Sequence, residues 1–286
     1  MNKRYKGAVY IVLSAFFFAL MALLVRLAGD LPAVEKSFFR NVVALFFAAA
    51  VLAKKRPAIR MEKADWLYMF LRASFGTLGV LGNFYAVDHL LLADASLLNK
   101  MAPFFAILMS ALLLKEKLSR FQMGVVAAAF CGVLLVVKPT GQNLSLGPAL
   151  IGLLGGFGAG FAYTMVHLMG SRGVPGPLIV FCFSLFSCLV TGPVMLLDFV
   201  PMTPSQLGIL LLVGLSAALA QFSVTAAYSC APAREISVFD YSQVLFSALL
   251  GFLFFGQLPD ALSCLGYLLI VATAAANFVY NLRRTA

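Results

Sequence analysis

Residues 83–118 read NFYAVDHLLLADASLLNKMAPFFAILMSALLLKEKL, and residues 224–259 read VTAAYSCAPAREISVFDYSQVLFSALLGFLFFGQLP. The two stretches share a hydrophobic pattern at an offset of 141 positions. The matched residues include Ala86 with Ala227, Ser96 with Ser237, and Phe105 with Phe246. Identity is low, but one offset aligns helix and loop positions together. The sequence therefore predicts a duplicated unit.

The composition excludes a soluble protein. Hydrophobic residues make up 62% of the 286 residues and charged residues 11%, against about 45–50% and about 25% in soluble domains. Lipid is the natural solvent for so much apolar surface. Backbone groups find no water in lipid, so only helices or closed barrels can span it. The apolar runs are continuous rather than alternating, which favours helices.

Ten apolar runs are each close to the roughly 20 residues that a helix needs to cross a bilayer. No segment between them is long enough for a soluble domain. Predicted spans 1 to 10 cover residues 7–28, 34–53, 66–87, 92–114, 120–138, 148–169, 177–197, 207–228, 235–255 and 260–280. The predicted fold class is an all-α membrane protein with ten transmembrane helices.

The positions of lysine and arginine predict the orientation of these spans. With the amino terminus in the cytoplasm, 15 of the 21 basic residues fall on the cytoplasmic side, two (Lys36 and Lys138) fall outside, and four fall within spans. This excess predicts that both termini are cytoplasmic. It also explains the net charge of +10 as a topology signal and an attraction to anionic lipid, without a basic face for nucleic acid.

The repeat and the orientation together predict an inverted duplication. Each copy, residues 1–140 and residues 141–286, contains five spans. Because five is odd, the second copy enters the membrane upside down relative to the first. Inverted repeats of this kind are typical of transporters, which bind their substrate near the midplane between the two halves.

Residues 99–117, NKMAPFFAILMSALLLKEK, carry a more specific signal. With ten spans in two five-helix halves, the chain resembles the drug/metabolite transporter superfamily and, within it, the EamA family. The fourth span of that family usually contains a proline inside an apolar run and ends in an acidic residue. Pro103 and Glu116 occupy those places, whereas the second copy has Val244 and Gln257 instead.

The resemblance implies secondary transport of a small metabolite through a basket of helices. It also implies a central cavity lined mainly by spans 1, 3 and 4 of one half and spans 6, 8 and 9 of the other. Basic groups outnumber acids inside the spans. That excess favours an organic anion, or a zwitterion such as an amino acid, as the substrate.

Ionisable side chains at lipid depth are costly and usually face a cavity or a partner. Lys100 lies about eight residues into span 4 from the outer side, and Asp240 about five residues into span 9 from the cytoplasmic side. At a rise of about 1.5 Å per residue, we expect them to differ by about 10 Å in depth and to face one cavity without a direct ion pair. The alternative is that Asp240 is a structural partner that neutralises Lys100.

Asn99 and Lys100 are the repeat equivalents of Asp240 and Tyr241. These four residues are predicted to form two polar pairs at matched places in opposite halves. Lys100 is the predicted cationic contact for an anionic group of the substrate. Asp240 has three candidate roles, since it can bind a substrate cation, carry a proton or pair with Lys100.

Other polar residues in the spans are predicted either to line the cavity or to bond a neighbouring helix. Arg40 is a candidate substrate contact, or it pairs with Glu35 or another outer acid, whereas Arg26 and Arg72 are expected to anchor or pack. The remaining candidates are Tyr85, Asn83, Tyr163, His167, Gln221 and Gln243.

Small residues and one proline are predicted to shape the helix packing. Glycine stripes occupy span 3 (Gly76, Gly79, Gly82) and span 6 (Gly152, Gly156, Gly160). Such stripes let helices approach closely. Pro103 is expected to kink span 4.

The predicted function is secondary active transport by alternating access rather than catalysis. The sequence has no GxGD, GxSG or HExxH motif and no P-loop, so an intramembrane enzyme and an ATP-driven pump are both disfavoured. A channel or a lipid scramblase stays open as the alternative. The five cysteines form no CxxC pair and are interpreted as packing residues rather than disulfide or metal ligands.

No cofactor and no metal are predicted. The predicted partners are a small-molecule substrate, membrane lipid, and either a coupling proton or a counter-substrate, with no nucleic acid. The predicted location is the inner or plasma membrane. A monomer suffices because both halves lie in one chain, and a homodimer stays open.

Overall fold

The computed structural model describes residues 3–55, 61–113, 119–137, 146–230 and 237–285. Within these ranges the regular structure is entirely helical. The helices are α1 (Lys3–Leu27), α2 (Ala33–Lys55), α3 (Lys63–His89), α4 (Leu92–Asn99), α5 (Ala102–Leu113), α6 (Arg120–Val137), α7 (Leu146–Ser171), α8 (Gly176–Leu197), α9 (Pro204–Cys230), a 3-10 helix (Ser237–Tyr241), α10 (Ser242–Phe255) and α11 (Ala261–Thr285).

These elements coincide with the ten predicted spans, and two spans are interrupted. Span 4 is divided into α4 and α5, and span 9 begins with the 3-10 helix before α10. Six of the described helices (α1, α2, α7, α8, α9 and α11) are long and apolar enough to cross a membrane. The prediction of an all-α membrane protein is therefore confirmed.

The interruption of span 4 follows from Pro103. Proline has no backbone N–H to donate to the carbonyl of Asn99, four residues earlier, and its ring crowds that carbonyl. α4 ends at Asn99, and the hydrogen-bond pattern restarts where the N–H groups of Phe104 and Phe105 donate to the Met101 oxygen at 3.0 and 3.1 Å. The predicted kink at Pro103 is confirmed and is a complete break between two helices.

Helices of the two predicted halves pack mainly against each other. The most extensive pairs are α3 with α7, α1 with α9, α2 with α8, and α6 with α11. Near the interrupted spans, α1 packs against α10, α5 against α7, and α4 against both α10 and α7. The predicted halves are thus interleaved, and the interrupted segments lie among α1, α7 and α10.

The glycine stripe of α7 allows the close approach of its neighbours. A Cβ on Gly156 would lie 2.5 Å from the carbonyl oxygen of Leu98, at the end of α4. A Cβ on Gly158 would lie 2.7 Å from the carbonyl oxygen of Phe75 in α3. Both contacts are with backbone, which cannot swing aside. The packing role predicted for the stripe is therefore confirmed.

A cluster of charges joins the start of α3 to the end of α7. Arg172 donates from Nε to Asp65 Oδ1 at 2.5 Å and from Nη2 to Glu62. The backbone N–H of Glu62 also donates to Asp65, at 2.8 Å. These donors, the Glu62 N–H most of all, hold the pKa of the Asp65 carboxyl below its usual value. The cluster joins two segments that the topology prediction assigns to the cytoplasmic side.

Lys36, which the charge count places on the outer side, is a helix residue rather than a loop residue. Lys36 lies in the first turn of α2 and is fully buried. Its Nζ contacts both carboxylate oxygens of Asp88, at the end of α3, at 2.7 Å. Asp88 also accepts a bond through its backbone oxygen from Arg26, at 3.3 Å. The ion pair allows Lys36 to be buried, since an unpaired ammonium there would be costly.

Gly156→Ala should destabilise the protein, because the added methyl group meets the backbone of Leu98. Overpacking of this kind typically costs about 1–3 kcal/mol. Gly170→Ala is the matched control in the same helix, since a Cβ there meets nothing within 4 Å. The apparent Tm of the two purified variants in detergent checks the prediction. Equal Tm values would contradict it.

Candidate functional site

A buried ion pair joins the two interrupted spans. Lys100, the residue that ends α4, places its Nζ 2.5 Å from Asp240 Oδ2 in the 3-10 helix before α10. The two side chains are 9% and 23% exposed. The charged groups therefore meet where both helices are broken, and each neutralises the other.

The expectation that Lys100 and Asp240 face one cavity without a direct ion pair is wrong. Of the two alternatives, the direct pair is the one observed. The depth was counted along two unbroken helices, whereas both segments are interrupted at these residues. Because α4 packs directly against α10, the two side chains reach each other.

The repeat equivalents Lys100 and Tyr241 are also in contact. The hydroxyl of Tyr241, a buried residue, donates to the backbone oxygen of Lys100 at 3.2 Å. On the other side, the ring of Phe18 in α1 lies 5.9 Å from Lys100 Nζ, within the range of a cation–π contact. We call Lys100, Asp240, Tyr241 and Phe18 the central site.

Two further hydrogen bonds hold α4 against α10 beside the central site. The hydroxyl groups of Ser96 and Ser247 lie 2.6 Å apart. The backbone N–H of Leu92 donates to Gln257 Oε1 at 3.1 Å. Gln257 stands where the family resemblance implies an acid. Its side chain accepts a hydrogen bond from a backbone N–H in the first turn of α4, which has no partner within that helix.

A second group of charges surrounds Phe183 in α8. The guanidinium carbons of Arg40 and Arg72 lie 5.6 and 4.2 Å from the centre of its ring. Arg40 is 9% exposed and donates from Nη1 to Asn41 Oδ1 at 2.7 Å. Glu35, the expected partner of Arg40, instead accepts a hydrogen bond from a backbone N–H. The structure brings Arg72, expected to anchor or pack, to the same ring as Arg40.

Two more predicted residues lie next to these groups. Asn99 is half-buried at the end of α4 and directly precedes Lys100. Tyr163 is exposed on α7 and lies near Arg40 and Arg72. These two predicted residues therefore lie beside the central site and beside the two arginines, respectively.

The remaining candidates belong to α3, α7, α9 and α10. Tyr85 stacks on His89 near the end of α3, with ring centres 4.1 Å apart. Asn83 and Gln221 are half-buried in α3 and α9, Gln243 is buried in α10, and the side chain of His167 lies outside the described part of the structure. Within the part of the chain that the structure describes, no three His, Cys, Asp or Glu side chains are grouped so that they could hold a metal ion.

Two aromatic contacts have no counterpart in the sequence predictions. Phe18 faces Lys100, and Phe183 faces both arginines. A phenylalanine inside an apolar span gives no sequence signal, because the span contains apolar residues at nearly every position. Arg72 did carry a signal, a charge within a span, but its position along span 3 suggested an anchor.

Comparisons with known proteins agree with a membrane transporter. Residues 5–138 match the model of the EamA-like transporter family. The pseudopaline exporter CntI of Pseudomonas aeruginosa is 34% identical over 272 residues, which cover 94% of this chain and 95% of that protein. The riboflavin transporter of Rhizobium johnstonii is 27% identical over 284 residues, which cover 97% of this chain and 92% of that protein.

Relatives also occur in animals and among solved structures. Human solute carrier family 35 member G1 is 25% identical over 284 residues, which cover 93% of this chain and 77% of that protein. One crystal structure matches with a TM-score of 0.67 at 17% identity, covering 98% of this chain and 99% of that one. At such low identity this match shows the fold alone.

Asp240→Asn should destabilise the protein, because it leaves the ammonium of Lys100 buried without its counter-charge. The expected cost is about 3 kcal/mol, the low end for breaking a buried pair, since Asp240 is partly exposed. The double variant Lys100→Gln/Asp240→Asn removes both charges and should recover most of that loss. Apparent Tm values for the single and double variants test this. A double variant as unstable as Asp240→Asn would show that the two charges are not coupled.

Proposed function

Because this chain belongs to the EamA-like transporter family, we propose that it is a secondary active transporter. It moves a small organic metabolite across the inner or plasma membrane by alternating access. The observation that carries this proposal is the buried Lys100–Asp240 pair at the junction of two interrupted helices. Interrupted helices with exposed ends are where transporters of this architecture bind substrates and coupling ions.

The pair suits an anionic or zwitterionic substrate. An incoming carboxylate can replace Asp240 as the partner of Lys100, while a substrate ammonium can take the freed Asp240. A proton on Asp240 would equally release Lys100, so the same pair can couple transport to a proton or to a counter-substrate. A zwitterionic substrate supplies a new partner for each charge. With an anionic substrate, its carboxylate takes Lys100 while a proton neutralises Asp240, so no buried charge is left unpaired.

We also propose that residues 1–140 and 141–286 are inverted five-helix repeats. The observed pairing of spans supports this. In such a repeat, each span corresponds to the span five positions away. The contact between spans 1 and 8 therefore corresponds to that between spans 6 and 3, and the contact between spans 1 and 9 to that between spans 6 and 4. The contacts of span 2 with 7, 4 with 9, and 5 with 10 each correspond to themselves. All of these pairs are in contact.

The paired helices suggest which parts move. Spans 1 and 8 form one wall, spans 3 and 6 form its counterpart, and spans 4 and 9 carry the central site between them. Rocking of one wall against the other would open the site to each side in turn. The Arg172 cluster with Asp65 and Glu62 lies on the side proposed to be cytoplasmic, with both termini.

The first experiment identifies a substrate. The purified protein is screened against a metabolite library by thermal shift, since a ligand that binds the folded state raises its apparent stability. The compounds that stabilise it are then tested in liposomes. Saturable counterflow is the expected result for a carrier. Flux that rises without saturation would favour a channel or scramblase and would overturn the proposal.

The double variant Lys100→Gln/Asp240→Asn then tests the central site with the identified substrate. Since it leaves no buried charge unpaired, it should fold, yet transport should fall by at least about tenfold, the effect of losing about 1.4 kcal/mol of substrate interaction. Gly170→Ala, which meets no neighbour, is the control and should transport normally. Unchanged transport by the double variant would remove the ion pair from the mechanism.

A further inference from the structure

Arg40 and Arg72 converge on one aromatic ring from different helices. Arg40 projects from α2 and Arg72 from α3, and both guanidinium groups lie over Phe183 in α8. Tyr163 of α7 lies near both groups. Four helices therefore contribute to one location. We call Arg40, Arg72, Tyr163, Phe183 and Asn41 the arginine site.

The charges of the arginine site lack an opposite charge. No salt bridge to Arg40 or Arg72 is present within the described ranges, and the Nε atoms of both residues are buried without a hydrogen-bond partner. Arg40 is more than nine-tenths buried. Two neighbouring guanidinium groups of like charge are costly to bury without an anion between them. The unused donors indicate that a ligand supplies that anion.

Neighbouring side chains hold the guanidinium of Arg40 in a fixed orientation before any ligand binds. The amide nitrogen of Asn41 donates to the backbone oxygen of Ser37 at 2.8 Å and to Ser187 Oγ at 2.9 Å. The amide oxygen of Asn41 therefore faces Arg40 and accepts a hydrogen bond from its Nη1 at 2.7 Å. Ser184, one turn before Ser187 in α8, has a buried hydroxyl without a partner. The site thus offers an oriented guanidinium on Arg40.

Gly76 provides the space for Arg72. A Cβ on Gly76 would collide with Nη1 of Arg72 and would lie 3.0 Å from Cε2 of Phe183. The guanidinium of Arg72 therefore rests over the bare backbone of the next helical turn, in contact with the aromatic ring. Arg72 itself is half-buried, so part of its side chain remains accessible.

We infer that the arginine site binds the carboxylate or phosphate group of a small organic anion. A guanidinium fork matches the paired oxygens of either group and can bind them through two parallel hydrogen bonds. The site differs from the central site, where Asp240 already neutralises Lys100. If the proposed transport function holds, this anionic group belongs to the cargo, and the cargo carries more negative than positive charge.

The test measures binding directly. The apparent Tm of the full-length protein in detergent is recorded with succinate, with inorganic phosphate and with succinamide, a neutral match for succinate, at constant ionic strength. Succinate, phosphate or both should give a saturable rise in Tm, and succinamide should give none. The two anions distinguish a carboxylate site from a phosphate site. A failure of both anions to stabilise the protein would overturn the inference.

Variants assign the effect to the arginines. Arg72→Met should abolish the rise without lowering the Tm measured in the absence of anion, because it removes an unpaired buried charge. Arg72→Lys keeps the charge but loses the fork, and should weaken the apparent affinity by about tenfold or more. An unchanged rise in Arg72→Met, or a lower Tm without anion in that variant, would indicate a purely structural arginine.

The double variant Lys100→Gln/Asp240→Asn separates this inference from the proposed function. It alters only the central site, so the rise with anion should persist even though transport is lost. If flux proves to be channel-like but the rise still depends on Arg72, the arginine site stands and the carrier mechanism falls. If transport depends on Lys100 but no anion stabilises the protein, the carrier mechanism stands and the arginine site falls.

Discussion

The ion pair between Lys100 and Asp240 is the interaction on which the centre of this molecule depends. Each residue lies at a break in a helix, and each break leaves backbone groups and a charge at membrane depth. Lipid offers no partner for either. The two breaks are tolerated because they face each other. Tyr241 adds a bond to the backbone of Lys100, so α4 and the segment before α10 stabilise each other.

Close packing keeps this polar centre away from lipid. Gly156 brings the backbone of α7 against the end of α4, and Gly158 brings it against α3. A Cβ at either position would meet a backbone oxygen, so the helices would have to move apart. α7 therefore packs closely both against α3 and against the end of α4, where the central site lies.

The charges of the two sites are compensated differently. Lys100 has its carboxylate, whereas Arg40 and Arg72, among the described residues, share an aromatic ring and neutral neighbours. An ion pair whose charges neutralise each other can exchange partners at little cost, which suits a step that changes the conformation. An uncompensated pair attracts an anion, which suits recognition. We propose that the two sites divide these tasks within one transport cycle.

The amino-acid sequence alone predicts the ten apolar segments, the kink at Pro103 and the tight packing of the glycine stripes. These depend on local properties, namely the hydrophobicity of a run, a missing N–H and a missing Cβ. It also identifies Lys100, Asp240 and Arg40 as charges that need an explanation. Which charges meet depends instead on the packing of the helices. Lys100 contacts Asp240 because two helices are interrupted and pack together, and Arg40 of α2 meets Arg72 of α3 over the ring of Phe183 in α8. Depth along an ideal helix cannot predict such contacts, because they depend on where helices break and on how closely their neighbours approach.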